Sequence, residues 1–132
     1  MIVIDASALL EILLRTERAD RLMERALEPS EQMHAPQLLD IEITQVLRRL
    51  VRQREITEPR AEQALQDLSN LLIERHDHQA LVQRIWQLRD SLSAYDGAYV
   101  ALAEALAAPL LTCDANLAGA HGHRAEIELV AN

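Results

Sequence analysis

The sequence predicts an α/β fold in which a short parallel β-sheet is covered by helices on both faces. Short apolar runs of strand length alternate with longer segments whose apolar residues repeat at helical spacing. Strands joined in parallel need long crossover connections, and the helical segments between these runs are long enough to supply them. With 132 residues, of which 49% are hydrophobic, the chain is expected to form a single domain over residues 1–132 around one core.

The first part of the chain alternates between the two element types. Ile2–Ile4 is an unbroken apolar run that predicts a buried strand, and residues 8–14 predict the helix that follows it. A second helix is expected over residues 19–27, where apolar positions recur every three or four residues. Met33–Ala35 has the pattern of a second short strand, which Pro36 would end.

The middle of the chain is mainly helical in pattern. Residues 38–53 give the clearest amphipathic helix, and a further helix is expected to begin at Thr57 or Glu58, with Pro59 in its first turn. Residues 72–75 fit either the tail of that helix or a third strand.

The last part repeats the alternation between helices and strands. Helices are predicted over residues 81–92 and 94–107, and the apolar run 110–113 predicts a buried strand. A short helix is expected over residues 114–118, followed by a final strand at 127–130.

Charge and cysteine content narrow the functional classes. The formal net charge is −8, and all thirteen basic residues are arginine. Proteins that mainly hold nucleic acid are usually basic, so this balance favours bound cations or a basic protein partner. The single cysteine excludes an internal disulfide, and no apolar stretch approaches the roughly 20 residues of a membrane span. A cytoplasmic protein with no membrane association is therefore expected.

Four carboxylates are the candidate functional residues. Asp5 and Asp114 each follow a predicted strand, whereas Glu42 and Asp96 stand near the starts of two predicted helices. Ligands of open parallel sheets bind at the carboxyl ends of the strands, where these acids would meet. An oxygen-rich set of this kind suits Mg²⁺ or Mn²⁺. Neither paired cysteines nor a His-x-x-x-His spacing is present, which argues against zinc.

Four ordered motifs resemble those of PIN-domain nucleases, most closely the VapC-type toxins of bacterial toxin–antitoxin pairs. They cover nearly the whole chain and lie at 3–10, 39–43, 95–103 and 111–114. The resemblance implies a three-layer fold with strand order 3-2-1-4-5. It also implies that the four acids are catalytic, with metal bound by Asp5, Asp96, Asp114 and, depending on its role, Glu42. Ser7 and Thr112 match the small hydroxyl positions that support the first and fourth acids.

The activity implied by this resemblance is metal-dependent endonucleolytic cleavage of RNA, leaving 5′-phosphate and 3′-hydroxyl ends. Glu42 would complete the metal shell or orient the attacking water. Some relatives carry a further acid where this chain has Asn116, so either one or two ions are expected. Arg49 lies two helical turns after Glu42 and is the candidate contact to RNA phosphates.

The expected partners are the RNA substrate, a cognate antitoxin protein and a second copy of the chain in a homodimer. Two other functions fit the residues. A PIN fold with weak catalysis would act as a regulatory binding module. A metal-dependent phosphatase would also use acids at strand ends, although Asp5-Ala6-Ser7 lacks the second aspartate expected two residues after such a nucleophile.

Overall fold

The structure, a computed structural model, describes residues 1–131 and contains one five-stranded sheet in which all strand pairs are parallel. The strand order is β3-β2-β1-β4-β5, which confirms the predicted topology. The strands are β1 Ile2–Ile4, β2 Met33–Pro36, β3 Ile73–His76, β4 Leu110–Thr112 and β5 Ile127–Leu129. Helices follow in the order α1 Ala6–Leu13, α2 Ala19–Ala26, α3 Leu38–Arg52, α4 Glu58–Asn70, α5 Val82–Gln87, α6 Ala94–Leu106 and α7 Ala115–Ala118.

The central strand β1 is fully buried, because it pairs with β2 on one side and β4 on the other. Val3 is in register with His34 of β2 and with Leu110 of β4. A strand enclosed in this way reads as a continuous apolar run, which is why Ile2–Ile4 is recognisable in the sequence. The carboxyl ends of β1 and β4 therefore lie side by side.

The helices form two groups around the sheet. Helix α1 contacts α2, α3 and α4, whereas α6 packs against α5 and against β1, β2 and β4. Helix α6 is nearly all apolar or small in sequence, and seven of its residues, from Gly97 to Ala103, are buried. It ends at Leu106, and the next residue, Ala107, has the left-handed conformation (φ 51°) two residues before Pro109.

Helix starts coincide with side-chain caps that the sequence supplies. Asp5 accepts from the backbone of Ala8, Thr57 from Arg60, and Ser93 from Asp96, each three residues further on. Because Asp5 is itself the cap, α1 begins at Ala6, two residues earlier than the apolar spacing indicates.

The segment predicted as one helix over residues 81–92 is shorter and less regular. A 3₁₀ turn at Gln79–Leu81 leads into α5, which ends at Gln87. Leu88 and Leu92 remain buried although they lie beyond the helix. The apolar spacing thus predicts which residues are buried, although the backbone between Leu88 and Leu92 forms turns rather than a helix. Within residues 1–131, no helix combines the length and apolarity that crossing a bilayer requires.

Candidate active site

The four predicted acids line one cavity of about 450 Å³ at the carboxyl edge of the sheet. Asp5 follows β1, and Asp114 follows the neighbouring strand β4. Glu42 lies in the second turn of α3 and Asp96 in the first turn of α6. Acids separated by up to 109 positions are thus brought together from four different elements.

Asp5 is the most deeply buried of the four, with 5% of its surface exposed. Its Oδ1 accepts hydrogen bonds from Ser7 Oγ at 2.7 Å and from the backbone N–H of Ala8 at 3.0 Å. Its Oδ2 accepts from Thr112 Oγ1 at 2.5 Å. Burial raises the pKa of Asp5, with Asp96 adding to the rise, although these three hydrogen bonds oppose it.

The two predicted supporting hydroxyls join the ends of β1 and β4. Ser7 Oγ accepts from the backbone N–H of Cys113 at 3.0 Å, and Thr112 Oγ1 accepts from that of Asp114, also at 3.0 Å. The two hydroxyls lie 3.2 Å apart. Each hydroxyl therefore links Asp5 to the backbone that carries the fourth acid, which restricts the orientation of both carboxylates.

Glu42 is held by a residue that the sequence analysis did not assign to the site. Tyr99 donates its hydroxyl to Glu42 Oε1 at 2.6 Å, across 57 positions of sequence. Tyr99 is almost fully buried and also lines the cavity. Burial raises the pKa of Glu42, and the nearby charges of Asp96 and Asp5 add to the rise. The spacing of three residues from Asp96, on one face of α6, was the local signal for Tyr99.

Asp96 and Asp114 also serve as helix-start residues, as their sequence positions suggested. Asp114 Oδ1 accepts from the backbone N–H groups of Asn116 and Leu117, which begin α7. The N–H of Asp96 is bonded to the cap Ser93. Burial raises the pKa of Asp96, and the charge of Asp114 contributes to this rise. Asp96 and Asp114 therefore each stand at a helix start and also line the cavity.

Negative charge dominates the cavity, which contains oxygen donors suited to a hard divalent cation. Within residues 1–131, no three of these four carboxylates bring oxygens within 4.8 Å of one another. Burial raises the pKa of Asp5, Glu42 and Asp96, and the charge of a neighbouring acid adds to each rise. A bound cation would offset that repulsion, so the donor set fits Mg²⁺ or Mn²⁺.

Two arginines line the same cavity. Arg18 pairs with Glu11, with 2.9 Å between the nitrogen and the carboxylate oxygen. Arg49 is exposed on α3 and forms no ion pair with any residue among 1–131. Its guanidinium is therefore available to an anion that enters the cavity.

Comparison with known proteins yields a consistent result. Residues 2–121 match the PIN domain family. The chain is 43% identical to Ribonuclease VapC12 of Mycobacterium tuberculosis over 131 residues, which cover 99% of this chain and 100% of that protein.

Solved structures share the fold at low sequence identity. PAE2754 from Pyrobaculum aerophilum superposes with a TM-score of 0.72 at 19% identity, over 96% of this chain and 81% of that one. VapBC2 from Rickettsia felis, solved bound to a DNA fragment from its promoter, gives a TM-score of 0.65 at 14% identity, covering 98% of both chains.

Proposed function

Because this chain belongs to the PIN-domain family and, within it, to the VapC ribonucleases, we propose that its acidic cavity hydrolyses RNA phosphodiester bonds. The chain is the endoribonuclease toxin of a toxin–antitoxin pair. Cleavage is endonucleolytic and leaves 5′-phosphate and 3′-hydroxyl ends.

One observation carries the assignment of the site. Four carboxylates from β1, α3, α6 and β4 face a single cavity, and within residues 1–131 none of them forms an ion pair with an arginine. Elsewhere in the same chain, arginines neutralise acids such as Glu104. Unpaired, half-buried acids destabilise a fold unless a ligand compensates, and perturbed carboxylates in a cleft are typical of functional sites.

We assign Asp5, Asp96 and Asp114 as ligands of one or two Mg²⁺ or Mn²⁺ ions, with Glu42 as a further ligand or the residue that orients water. An ion held by these carboxylates would supply activation of water and neutralisation of charge on the phosphate. The protein contributes orientation. Ser7 and Thr112 act as positioning residues for Asp5.

Tyr99 has the corresponding role for Glu42, because its hydroxyl binds one carboxylate oxygen and leaves the other free to bind metal or to orient water. Arg49 is the proposed contact to a phosphate of the RNA next to the scissile bond. Its guanidinium can bind two phosphate oxygens at once, which would restrict how the substrate lies over the acids.

A protein antitoxin and a homodimer complete the proposal. The net charge of −8 favours a basic partner, and an arginine side chain inserted into the cavity would replace cation charge and block RNA. Large apolar side chains that are exposed in the single chain would be covered in a dimer. They include Ile41, Leu72, Trp86 and Tyr95.

The test is a cleavage assay on purified chain with RNA, DNA and a phosphomonoester, in Mn²⁺, Mg²⁺ or EDTA. The wild-type chain is expected to cut RNA only with a divalent ion, and Asp5→Asn is expected to abolish cleavage while circular dichroism stays unchanged. Glu11→Gln is the matched control, because Glu11 lines the same cavity but is paired with Arg18. It should cut within a few-fold of wild type.

Each other function predicts a different result in that assay. A regulatory binding module would leave all three substrates intact with every ion. A phosphatase would release phosphate from the monoester and leave RNA uncut. Cleavage by Asp5→Asn at the wild-type rate would show that Asp5 is not a catalytic residue. Cleavage in EDTA would show that no divalent ion is required.

A further inference from the structure

A second group of metal-binding side chains lies away from the acidic cavity, on strands β2 and β3. His34, Glu74 and His76 each offer one donor atom, and the three donor atoms lie within 4.8 Å of one another. No other group of three His, Cys, Asp or Glu residues among positions 1–131 meets this condition. None of the three lines the acidic cavity.

Sheet geometry accounts for their convergence. His34 is in register with Glu74, and His76 lies two residues further along β3. Alternate residues of a strand point to the same face, so all three side chains share one face of the sheet. Arg75 points to the other face, where it pairs with Asp40 of α3 at 2.8 Å.

The distances suit coordination of a small transition-metal ion. His34 Nδ1 lies 2.8 Å from His76 Nε2 and 3.6 Å from a carboxylate oxygen of Glu74. Ligands of a tetrahedral zinc ion, with bonds near 2.0–2.1 Å, stand about 3.3 Å apart. Shifts of about half an ångström would therefore bring these two pairs of donor atoms to the spacing of ligands around one ion.

Gln32 contacts the ring nitrogen of His34 that faces away from the other ligands, as the hydrogen-bond partner of a metal-binding histidine does. His34 Nε2 lies 3.2 Å from Gln32 Oε1, an atom that can only accept, and this contact favours the tautomer that carries the proton on Nε2. In that tautomer, the lone pair of Nδ1 is directed at His76 and Glu74. Gln32 also donates to Glu74 at 3.4 Å, so one amide positions two ligands.

The three proposed ligands differ in their exposure to solvent. His34 is 3% exposed, and burial lowers the pKa of its imidazole. Glu74 is 54% exposed and His76 is partly exposed, so an ion can enter from solvent. The sequence alone gives no such signal, because the ligands come from two strands about 40 positions apart.

We propose that His34, Glu74 and His76 form a binding site for a zinc-class divalent ion, with Gln32 as the residue that orients two of the ligands. Two imidazoles and one carboxylate leave a fourth position for water and favour Zn²⁺, Co²⁺ or Ni²⁺ over Mg²⁺. The bound ion links edge strand β3 to β2, so it stabilises the folded chain. This site is independent of the proposed RNA cleavage.

The test is calorimetric titration of tag-free chain with Zn²⁺ in excess Mg²⁺, in the Asp5→Asn background, which weakens the other site. We expect one equivalent of Zn²⁺ to bind and to raise the melting temperature. His76→Gln should weaken binding at least tenfold while its amide can still bond to His34. His78→Gln is the matched control, because His78 is exposed and two residues beyond the site. It should bind Zn²⁺ as the background does.

Two further variants keep the proposal falsifiable if His76→Gln disturbs folding. Glu74→Gln alters an exposed ligand, and Gln32→Ala removes only the orienting amide; we expect a loss of at least tenfold for the first and about tenfold for the second. Zinc binding that is unchanged in Glu74→Gln, or equally weakened in His78→Gln, would overturn the site. Absence of binding to the background chain would reduce the cluster to a hydrogen-bonded pair of histidines.

Discussion

Two sets of carboxylic acids in this molecule have pKa values shifted in opposite directions. The pKa is raised, mainly by burial, for three acids of the cavity, Asp5, Glu42 and Asp96. The pKa is lowered for Glu31 and Glu104, chiefly by hydrogen bonds from Arg25 and Arg84. The difference lies in the partner that the fold supplies, since the cavity acids have hydroxyl and backbone donors and the other two have guanidinium groups.

The paired acids have their charge neutralised within the fold, whereas the cavity acids do not. Arg84 donates two bonds to Glu104, at 2.8 and 3.0 Å, and the Glu104 side chain is only 2% exposed. Glu104 also accepts from the backbone of Arg124, which ties the loop before β5 to α6. That region is neutralised internally. The cavity is left negative, so its charge is balanced only when something else enters.

The largest expected effect is on the cavity side of the comparison. Asp96→Asn removes a half-buried charge, so RNA cleavage should fall at least about 100-fold because a proposed metal ligand is lost. Melting temperature in EDTA should rise. The sign follows from the raised pKa, since near neutral pH the ionised form is held less favourably in the folded chain than in the unfolded one.

Cleavage and thermal melting of the same preparation measure both effects. A lower melting temperature for Asp96→Asn in EDTA would show that the carboxylate stabilises the fold, and the contrast between the two sets would fail.

An intermediate effect is expected on the arginine-paired side. Arg84→Met leaves Glu104 buried without its partner, which should reduce the free energy of unfolding by about 2 kcal/mol. Urea unfolding measures this loss. Cleavage per folded molecule should stay unchanged, because Arg84 does not line the cavity.

The double variant Arg84→Met, Glu104→Met tests whether the stability lost in Arg84→Met comes from leaving Glu104 unpaired. Replacing both members of a buried pair with apolar residues is often neutral, so most of the lost stability should return. If the double variant is as unstable as the sum of the two single variants, the pair is not coupled.

The smallest effect concerns the cavity arginine. Arg49→Gln should raise the KM for RNA a few-fold and reduce the salt dependence of binding by about one phosphate contact. Arg48→Gln is the matched control, because Arg48 is adjacent on α3 and exposed but lies outside the cavity. Equal changes in the two variants would mean that Arg49 contributes only general positive charge.

Much of the fold was accessible from local pattern. Buried parallel strands appear as continuous apolar runs, and Thr57 marks a helix start that the structure retains. The third strand was ambiguous with a helix tail because only Ile73 is buried in it, which leaves little apolar signal at an edge. The strand order was available only through the resemblance to PIN-domain proteins.

The four acids and the supporting hydroxyls of Ser7 and Thr112 were predicted through the resemblance to PIN-domain proteins, whereas Tyr99 as the partner of Glu42 was not. The bonds from Thr112 to Asp5 and from Tyr99 to Glu42 span 107 and 57 positions. No short-range spacing encodes such pairs. They depend on which helix faces which strand end once the two helical layers have packed on the sheet.

The sequence by itself determined the type of most elements other than β3 and the presence of four acids at strand ends and helix starts, because periodicity and capping act over a few residues. Only the tertiary structure decided which acids receive an arginine and which face an open cavity. It also decided that His34 and His76 meet, with their ring nitrogens 2.8 Å apart. The physical reason is that burial and charge pairing depend on side chains distant in sequence, whose meeting is set by the packing of the whole chain.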